Sequence, residues 1–150
     1  MNVRTATEVD EDDIFMLLLG MAEENSKHPV AAEKALKTII QVIGQGGVFV
    51  VEEDGKIIGS VGVGPKSGWF TDYVFLGDYW FYVIPERRNS RAAIMLKKAA
   101  FKYADSVKLD IVFAVFSIED AERKSRFFAK GMTLLGSAFV RENSNGLHLL

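Results

Sequence analysis

The sequence predicts a mixed α/β (α+β) fold in one domain of 150 residues, and three observations carry that prediction. Apolar residues recur at helical spacing in some segments and alternate or run continuously in others, so both element types are present. Asp54-Gly55 stands between two β-rich runs, the strongest short hairpin signal in the chain. A strand, a helix and a second apolar strand follow one another over residues 79–116, an order that implies a crossover and a parallel pair. The length suits one substantial core, and no repeat, linker or low-complexity segment divides residues 1–150.

Residues 2–7 alternate weakly, with Val3 and Thr5 on one side, and read as a short first strand. An acidic helix follows: Asp10, Glu11, Asp12 and Asp13 stand where a first turn favours negative charge, and Ile14, Leu17, Leu18 and Met21 form its apolar stripe. Gly20 weakens this helix near its end, and residues 23–29 read as a polar linker. Ala32, Leu36, Ile39, Ile40 and Ile43 repeat at helical spacing until Gly44, Gly46 and Gly47 end a second helix. Residues 48–53 and 56–63 are the hairpin strands, and residues 64–68 are a turn. Residues 69–71 either extend the third strand or sit over the core. Residues 73–84 form a fourth strand with a bulge expected at Gly77. After the central helix, residues 109–116 read as a strand buried on both faces. Ser117 caps a last helix, with Asp120 in a variant capping box; Phe127 and Phe128 end its apolar face and Gly131 closes it. Residues 132–141 and 147–150 bracket an Asn145-Gly146 turn and read as a final antiparallel pair.

The stretch 79–105 organises the rest. Pro85 ends the strand ladder, and a helix begins near residues 88–90, with Ala92, Met95, Leu96, Ala99 and Tyr103 on one stripe. Between them Arg87, Arg88 and Arg91 crowd a helix N-terminus, where free N–H groups and the macrodipole already favour an anion. Cations there are unfavourable unless an anion arrives, so the turn reads as a phosphate cradle. The bland alternative is a solvated basic helix start that binds nothing.

At these residues the sequence resembles the GCN5-related N-acetyltransferase (GNAT) family. Val83-Ile84-Pro85 matches that family's Val-x-Pro strand end. Arg88, Asn89, Ser90, Arg91, Ala92 and Ala93 lie on its Arg/Gln-x-x-Gly-x-Gly/Ala loop, with Arg88 and Ala93 in place. Arg91 stands where the family most often has glycine; it fits the turn only with helical dihedrals, and its guanidinium then offers a bidentate phosphate contact. The order of elements is also the family's, so the resemblance covers nearly the whole chain. It implies a mixed sheet of about seven strands with four helices, in which the parallel fourth and fifth strands splay apart. Ala129-Lys130-Gly131-Met132 resembles the family's helix-to-strand junction and puts Phe127 where a tyrosine is usual.

The resemblance implies transfer of an acetyl group from acetyl-CoA to a primary amine, of a small molecule or a protein, by direct attack on the thioester. The loop amides would hold the pyrophosphate. Phe81, Tyr82 and Val83 would meet the pantetheine arm through their backbone, on the edge the splay leaves unpaired, while their side chains read as core. A backbone N–H near Val83 is the candidate oxyanion donor. Asp78 is the candidate base, directly or through water, set against an ordinary surface or bulge carboxylate; strict alternation puts it opposite Phe81 unless a bulge shifts the phase. Asp120 stands where many relatives have an asparagine touching the cofactor arm, set against a capping role. Phe127 cannot give a proton. Thiols ionise near pH 8.5, so a thiolate leaves tolerably, and a lost acid costs about 10²–10⁴-fold in rate. Tyr79, Tyr82, Ser117 and Ser125 stand as replacements. The alternative is a catalytically weak or inactive GNAT-fold protein that binds CoA or a protein partner.

Glu23 and Glu24 either draw a cationic amine or continue an acidic helix end. His28 reads as a solvated loop residue, and Trp69, Phe70 and Trp80 either wall the acceptor side or join the core. Pairing into a homodimer through the last strands belongs to the same resemblance, as does a likeness of the non-glycine turn to phage-borne members. The formal charge of −2 argues against nucleic acid as a partner. With no cysteine and only His28 and His148, thiolate chemistry is excluded and a metal site is not expected. The N-terminus lacks the apolar run of a signal peptide and no segment reaches membrane length, so a cytoplasmic location is expected.

Overall fold

Asp54 and Gly55 take φ values of 52° and 77°, the two left-handed residues a tight hairpin turn requires. They join β2 (Val48–Glu53) to β3 (Lys56–Ser67) in a computed structural model that describes residues 1–115 and 120–143. The sheet runs in chain order, β1 (Asn2–Thr5), β2, β3, β4 (Val74–Val83) and β5 (Ile111–Val112). The first four strands are antiparallel, and β4 and β5 are parallel. That parallel pair demands a crossover, which α3 (Ala92–Val107) supplies.

The helices divide between the faces. α1 (Glu11–Asn25) and α2 (Ala32–Gly44) cover one, where Ile14, Ile39 and Val42 meet Val48, Val50 and Trp80. α3 covers the other, where Ala92, Leu96, Ala100 and Ala104 meet Val51, Val61, Val63, Leu76 and Val83. α4 (Ala121–Ala129) follows β5. Trp80 lies flat over Gly62, where an added Cβ would stand 2.6 Å from the indole; its Nε1–H donates to Ser60 Oγ at 2.9 Å, and Ser60 donates to the Phe49 carbonyl at 2.9 Å. The indole is thereby buried with its one donor satisfied. Near the N-terminus Arg4 donates to both carboxylate oxygens of buried Asp10 at 2.8 Å, and Asp10 also accepts the Thr7 N–H.

Several expectations change. The sheet has five strands among the described residues, not about seven. Residues 132–143 carry no strand, and residues 147–150, with Ser117, lie outside the described residues. A β-rich composition needs a ladder to join, and β5 offers only two paired residues. The homodimer expectation therefore has no strand at 132–141 to rest on. α1 continues through Gly20 to Asn25, so Glu23 and Glu24 are helical and the linker begins later. β3 runs through the expected turn at 64–68 because residues 63–67 pair with β4; Pro65 is tolerated there because β2 has already ended at Val48↔Gly62. Trp69 and Phe70 sit on the hairpin tip, 95% and 73% exposed, and neither extend the strand nor join the core. Among the described residues the fifth strand is two residues long rather than the eight expected over 109–116, of which Phe116 lies outside the described residues, and the reason lies in β4.

Candidate active site

The bulge in β4 is at Tyr79, not Gly77. Gly62 pairs with Trp80 and Val63 with Asp78, which leaves Tyr79 as the extra residue. The phase changes there: Leu76, Phe81 and Val83 pack on the α3 face although odd and even numbers are mixed, and Trp80 packs on the other. Asp78 and Phe81 therefore share a face instead of opposing one another. Immediately before the bulge the parallel pairing ends, at Leu76↔Ile111 and Gly77↔Val112. Asp78 sits at this parting point, and its Oδ1 accepts the Ala114 N–H at 3.1 Å. Burial raises its pKa above the ordinary aspartate value, against the Ala114 hydrogen bond and the charge of Lys66. Beyond it β4 runs on to Val83 while the chain after β5 leaves the ladder, so the two part as the arms of a V. Ile84 N–H donates back to Ile58 on β3 at 3.0 Å, so by antiparallel alternation the N–H and C=O of Val83 and Phe81 point away from β3, into the V.

The V opens onto the start of α3. A 3₁₀ turn at Pro85–Arg87 leads to Arg91, whose φ of −81° and ψ of −1° are the helical dihedrals that a side chain needs in place of glycine. Ser90 Oγ accepts the Ala92 N–H at 3.2 Å and donates to the Arg87 carbonyl at 2.5 Å. The N–H groups of Ala93 and Ile94 are further first-turn donors, and the first turn of α3 holds no acidic residue. α1, with Glu11, Asp12 and Asp13 at its start, is the opposite case. Asn89 and Arg91 are exposed, and Arg91 has no ion-pair partner among the described residues. The other two arginines are engaged: Arg87 pairs with Glu53 at 2.6 Å, and Arg88 pairs with Glu24 at 2.7 Å. Part of the anion that the basic turn calls for thus comes from the protein itself.

α4 flanks the V. Phe127 packs on Phe81 and Phe128 with centroids 5.8 and 5.1 Å away, and Phe113 stacks on Phe128 at 4.9 Å. Buried Lys97 donates to the carbonyls of Phe127 and Lys130 at 2.7 and 3.2 Å, with its Nζ 4.2 Å from the Phe127 centroid. That ammonium closes the C-terminal end of α4 and fixes the Phe127 backbone. Asp120 does not stand inside the helix as a capping-box carboxylate. It is the residue before α4, and its side chain accepts from Arg123 at 3.0 Å. Ser125 is exposed.

A sequence profile of the acetyltransferase (GNAT) family matches residues 14–132. The chain belongs to the GNAT family. No match is found among curated protein sequences. Solved structures share the fold at low identity. One is AAC(6')-Iy in complex with a bisubstrate analogue, CoA-S-monomethyl-acetylneamine, at 15% identity, TM-score 0.70 and coverage of 95% of this chain and 97% of that one. Another is a predicted acetyltransferase with acetyl-CoA from Clostridium acetobutylicum, at 12% identity, TM-score 0.76 and coverage of 99% of both chains. A third is a ribosomal-protein-alanine N-acetyltransferase from Brucella melitensis, at 14% identity, TM-score 0.69 and coverage of 95% and 100%.

In this GNAT chain the residue that sequence reasoning undervalued is Glu24. Near the end of α1 its carboxylate accepts Tyr82 Oη at 2.6 Å and both oxygens accept Arg88 Nη2, at 2.9 and 2.7 Å. Arg88 Nε also donates to the Val83 carbonyl at 3.1 Å, and its guanidinium lies 5.3 Å from the Tyr82 ring centroid. Burial pushes the Glu24 pKa up, but the hydrogen bonds from Tyr82 and Arg88 together bring it below the usual glutamate value. Burial and Glu24 push the Tyr82 hydroxyl up to about 12, so this replacement acid is held protonated. Burial, then Arg88, lowers the pKa of Lys124 on α4, which faces the same cluster. On this side of the sheet an apolar cleft of about 320 Å³ runs between α1 and α2, lined by Phe15, Leu18, Met21, Ala35, Tyr79 and Trp80 among others. Tyr79 and Trp80 thus wall a cleft, as Trp69 and Phe70 do not. Among the described residues no helix is long and apolar enough to cross a membrane.

Proposed function

We propose that this protein transfers the acetyl group of acetyl-CoA to a primary amine of a small molecule or a protein. The observation that carries the reading is the V between β4 and β5, which opens onto an α3 start without acidic residues. The fit is specific in kind. An amide-rich arm matches the outward N–H and C=O groups of Phe81 and Val83, and a pyrophosphate matches the first-turn donors of α3, with Arg91, which has no ion-pair partner among the described residues, beside them. Ala93 contributes its N–H to that cradle, Asn89, Ser90 and Ala92 shape the turn, with the Ser90 N–H bonded to the Arg87 carbonyl and the Ala92 N–H to Ser90 Oγ, and Asp120, the residue before α4, and Phe127, on it, flank the arm. The relatives crystallised with CoA compounds support the same donor.

Acetyl-CoA bound there supplies the activated thioester. The neutral amine nitrogen forms its bond to the carbonyl carbon and gives up one proton to solvent, the carbon–sulfur bond breaks, and the sulfur leaves with the electron pair as thiolate. The Val83 N–H is the donor aimed at the oxyanion. Asp78 sets the apex of the V through Ala114. Phe127 supports a slower enzyme than tyrosine-bearing relatives, because the leaving thiolate receives no proton from that position.

Calorimetry with acetyl-CoA, on the protein and on the double variant Arg88→Ala with Arg91→Ala, tests the reading. Binding that the double change weakens at least tenfold is expected. No binding by the intact protein, at concentrations well above those usual for CoA enzymes, would overturn it.

A further inference from the structure

The bulge at Tyr79 faces a residue of β3 that has nothing to give it. Val63 stands opposite, but its N–H donates to the Gly47 carbonyl at 2.8 Å, and its own carbonyl lies so close to Gly47 that a Cβ added there would stand 2.0 Å from the oxygen. Both polar groups of Val63 are therefore turned to the Gly47 side, and neither is offered to Asp78 or Tyr79. Lys66 supplies what is missing. Its backbone pairs with Phe75, and its side chain runs along β4 over Gly77 to the bulge. There Nζ donates to the Asp78 carbonyl at 2.9 Å and lies 4.5 Å from the Tyr79 ring centroid. Gly77 makes the passage possible, because a Cβ added to it would stand 2.5 Å from Lys66 Cδ. The glycine that suggested a bulge is thus the seat of the side chain that braces the real one.

We propose that Lys66 is a positioning residue that holds the β4 bulge, and with it the mouth of the V, in the shape acetyl-CoA requires. This rests on the acetyltransferase reading and deepens it. Asp78 comes immediately after the last rung with β5, Gly77↔Val112. Its carbonyl belongs to the peptide that joins it to Tyr79, and that peptide is planar, so a bond to the oxygen fixes the plane at which β4 turns away from β5. The direction of the Phe81 and Val83 N–H and C=O groups, further along the same strand, follows from that turn. Without the ammonium a half-buried carbonyl loses its donor, and the strand recovers one only by changing the bulge. The Tyr79 ring is a second hold on the same cation, which an aromatic face attracts.

The test compares Lys66→Met, Lys66→Arg and Gly77→Ala in the whole protein. Lys66→Met keeps the stem and removes the donor, and Lys66→Arg keeps a cationic donor. Gly77→Ala keeps the lysine and its charge but pushes the stem off the strand. The readouts are the carbon-13 resonance of the Asp78 carbonyl without ligand, and acetyl-CoA affinity by calorimetry. Lys66→Met and Gly77→Ala are each expected to move that resonance upfield and to weaken acetyl-CoA binding about tenfold, the scale of one hydrogen bond to a charged donor. Lys66→Arg is expected to restore both. An Asp78 resonance unmoved in Lys66→Met overturns the brace. Unchanged acetyl-CoA affinity in Lys66→Met, or weakening there with none in Gly77→Ala, which assigns the effect to long-range charge, overturns the positioning role and leaves the acetyltransferase reading intact. Failure of the unaltered protein to bind acetyl-CoA overturns that reading and the positioning role together, while the carbonyl resonance still decides the brace.

Discussion

Asp10 and Asp78 show how one side chain takes opposite shifts from its surroundings. The hydrogen bonds from Arg4 outweigh burial and lower the pKa of Asp10, whereas at Asp78 burial outweighs the Ala114 N–H and raises it. The folded pKa of Asp78 lies above the unfolded value, so its contribution is most favourable below about pH 4 and is lost as pH rises through the folded value. Asp78→Asn keeps an acceptor for Ala114 and removes the buried charge. Thermal melts are expected to show the variant more stable than the parent at pH 7 and equal to it near pH 3. Retained turnover in that variant supports the apex role; a large loss of kcat in a folded variant returns Asp78 to proton transfer. Phe127 is the second informative residue. Lys97 holds its backbone and lies over its ring, so Phe127→Tyr adds a hydroxyl without disturbing the attachment. An increase in kcat of about 10²-fold is expected from steady-state thiol release, the lower part of what general acid catalysis contributes.

At the scale of elements, α3 ends on Lys108 at φ 58°, a left-handed residue that is not glycine. Lys108→Gly removes the Cβ strain at a helix end and is expected to raise stability by about 0.5–1 kcal/mol, read from urea denaturation. α2, α3 and the Asp54-Gly55 hairpin were legible in the sequence because each rests on local periodicity or on turn chemistry. The basic turn before α3 was legible as a turn for the same reason, and Arg91 takes the helical dihedrals it needs there. The bulge at Tyr79 was not, because a bulge is a property of two strands in register and β4 alone contains only a glycine to suggest one. The length of β5 was hidden by the same register: an apolar run does not record where its neighbour leaves it. Arg88 and Glu24 are 64 residues apart, and no period or motif joins positions so distant.

Across the whole molecule, the antiparallel body and the α4 flank are joined very differently. β3 and β4 are paired from Ser67↔Val74 to Gly59↔Val83, while β4 and β5 share two rungs, reinforced by the phenylalanines around Phe81 and by Lys97. The candidate donor site lies along this weaker joint. Tyr79 is what keeps the joint open. Removing that one residue leaves every other side chain of β4 on its present face, since Asp78 and Trp80 already pair with consecutive residues of β3. A strand without its bend can follow β5 further and close the V. The shortened chain is expected to melt at a higher temperature and to bind no acetyl-CoA in calorimetry. In that sense the cleft is written as an insertion: a gain or loss of one codon separates a better-zipped but silent protein from one able to work.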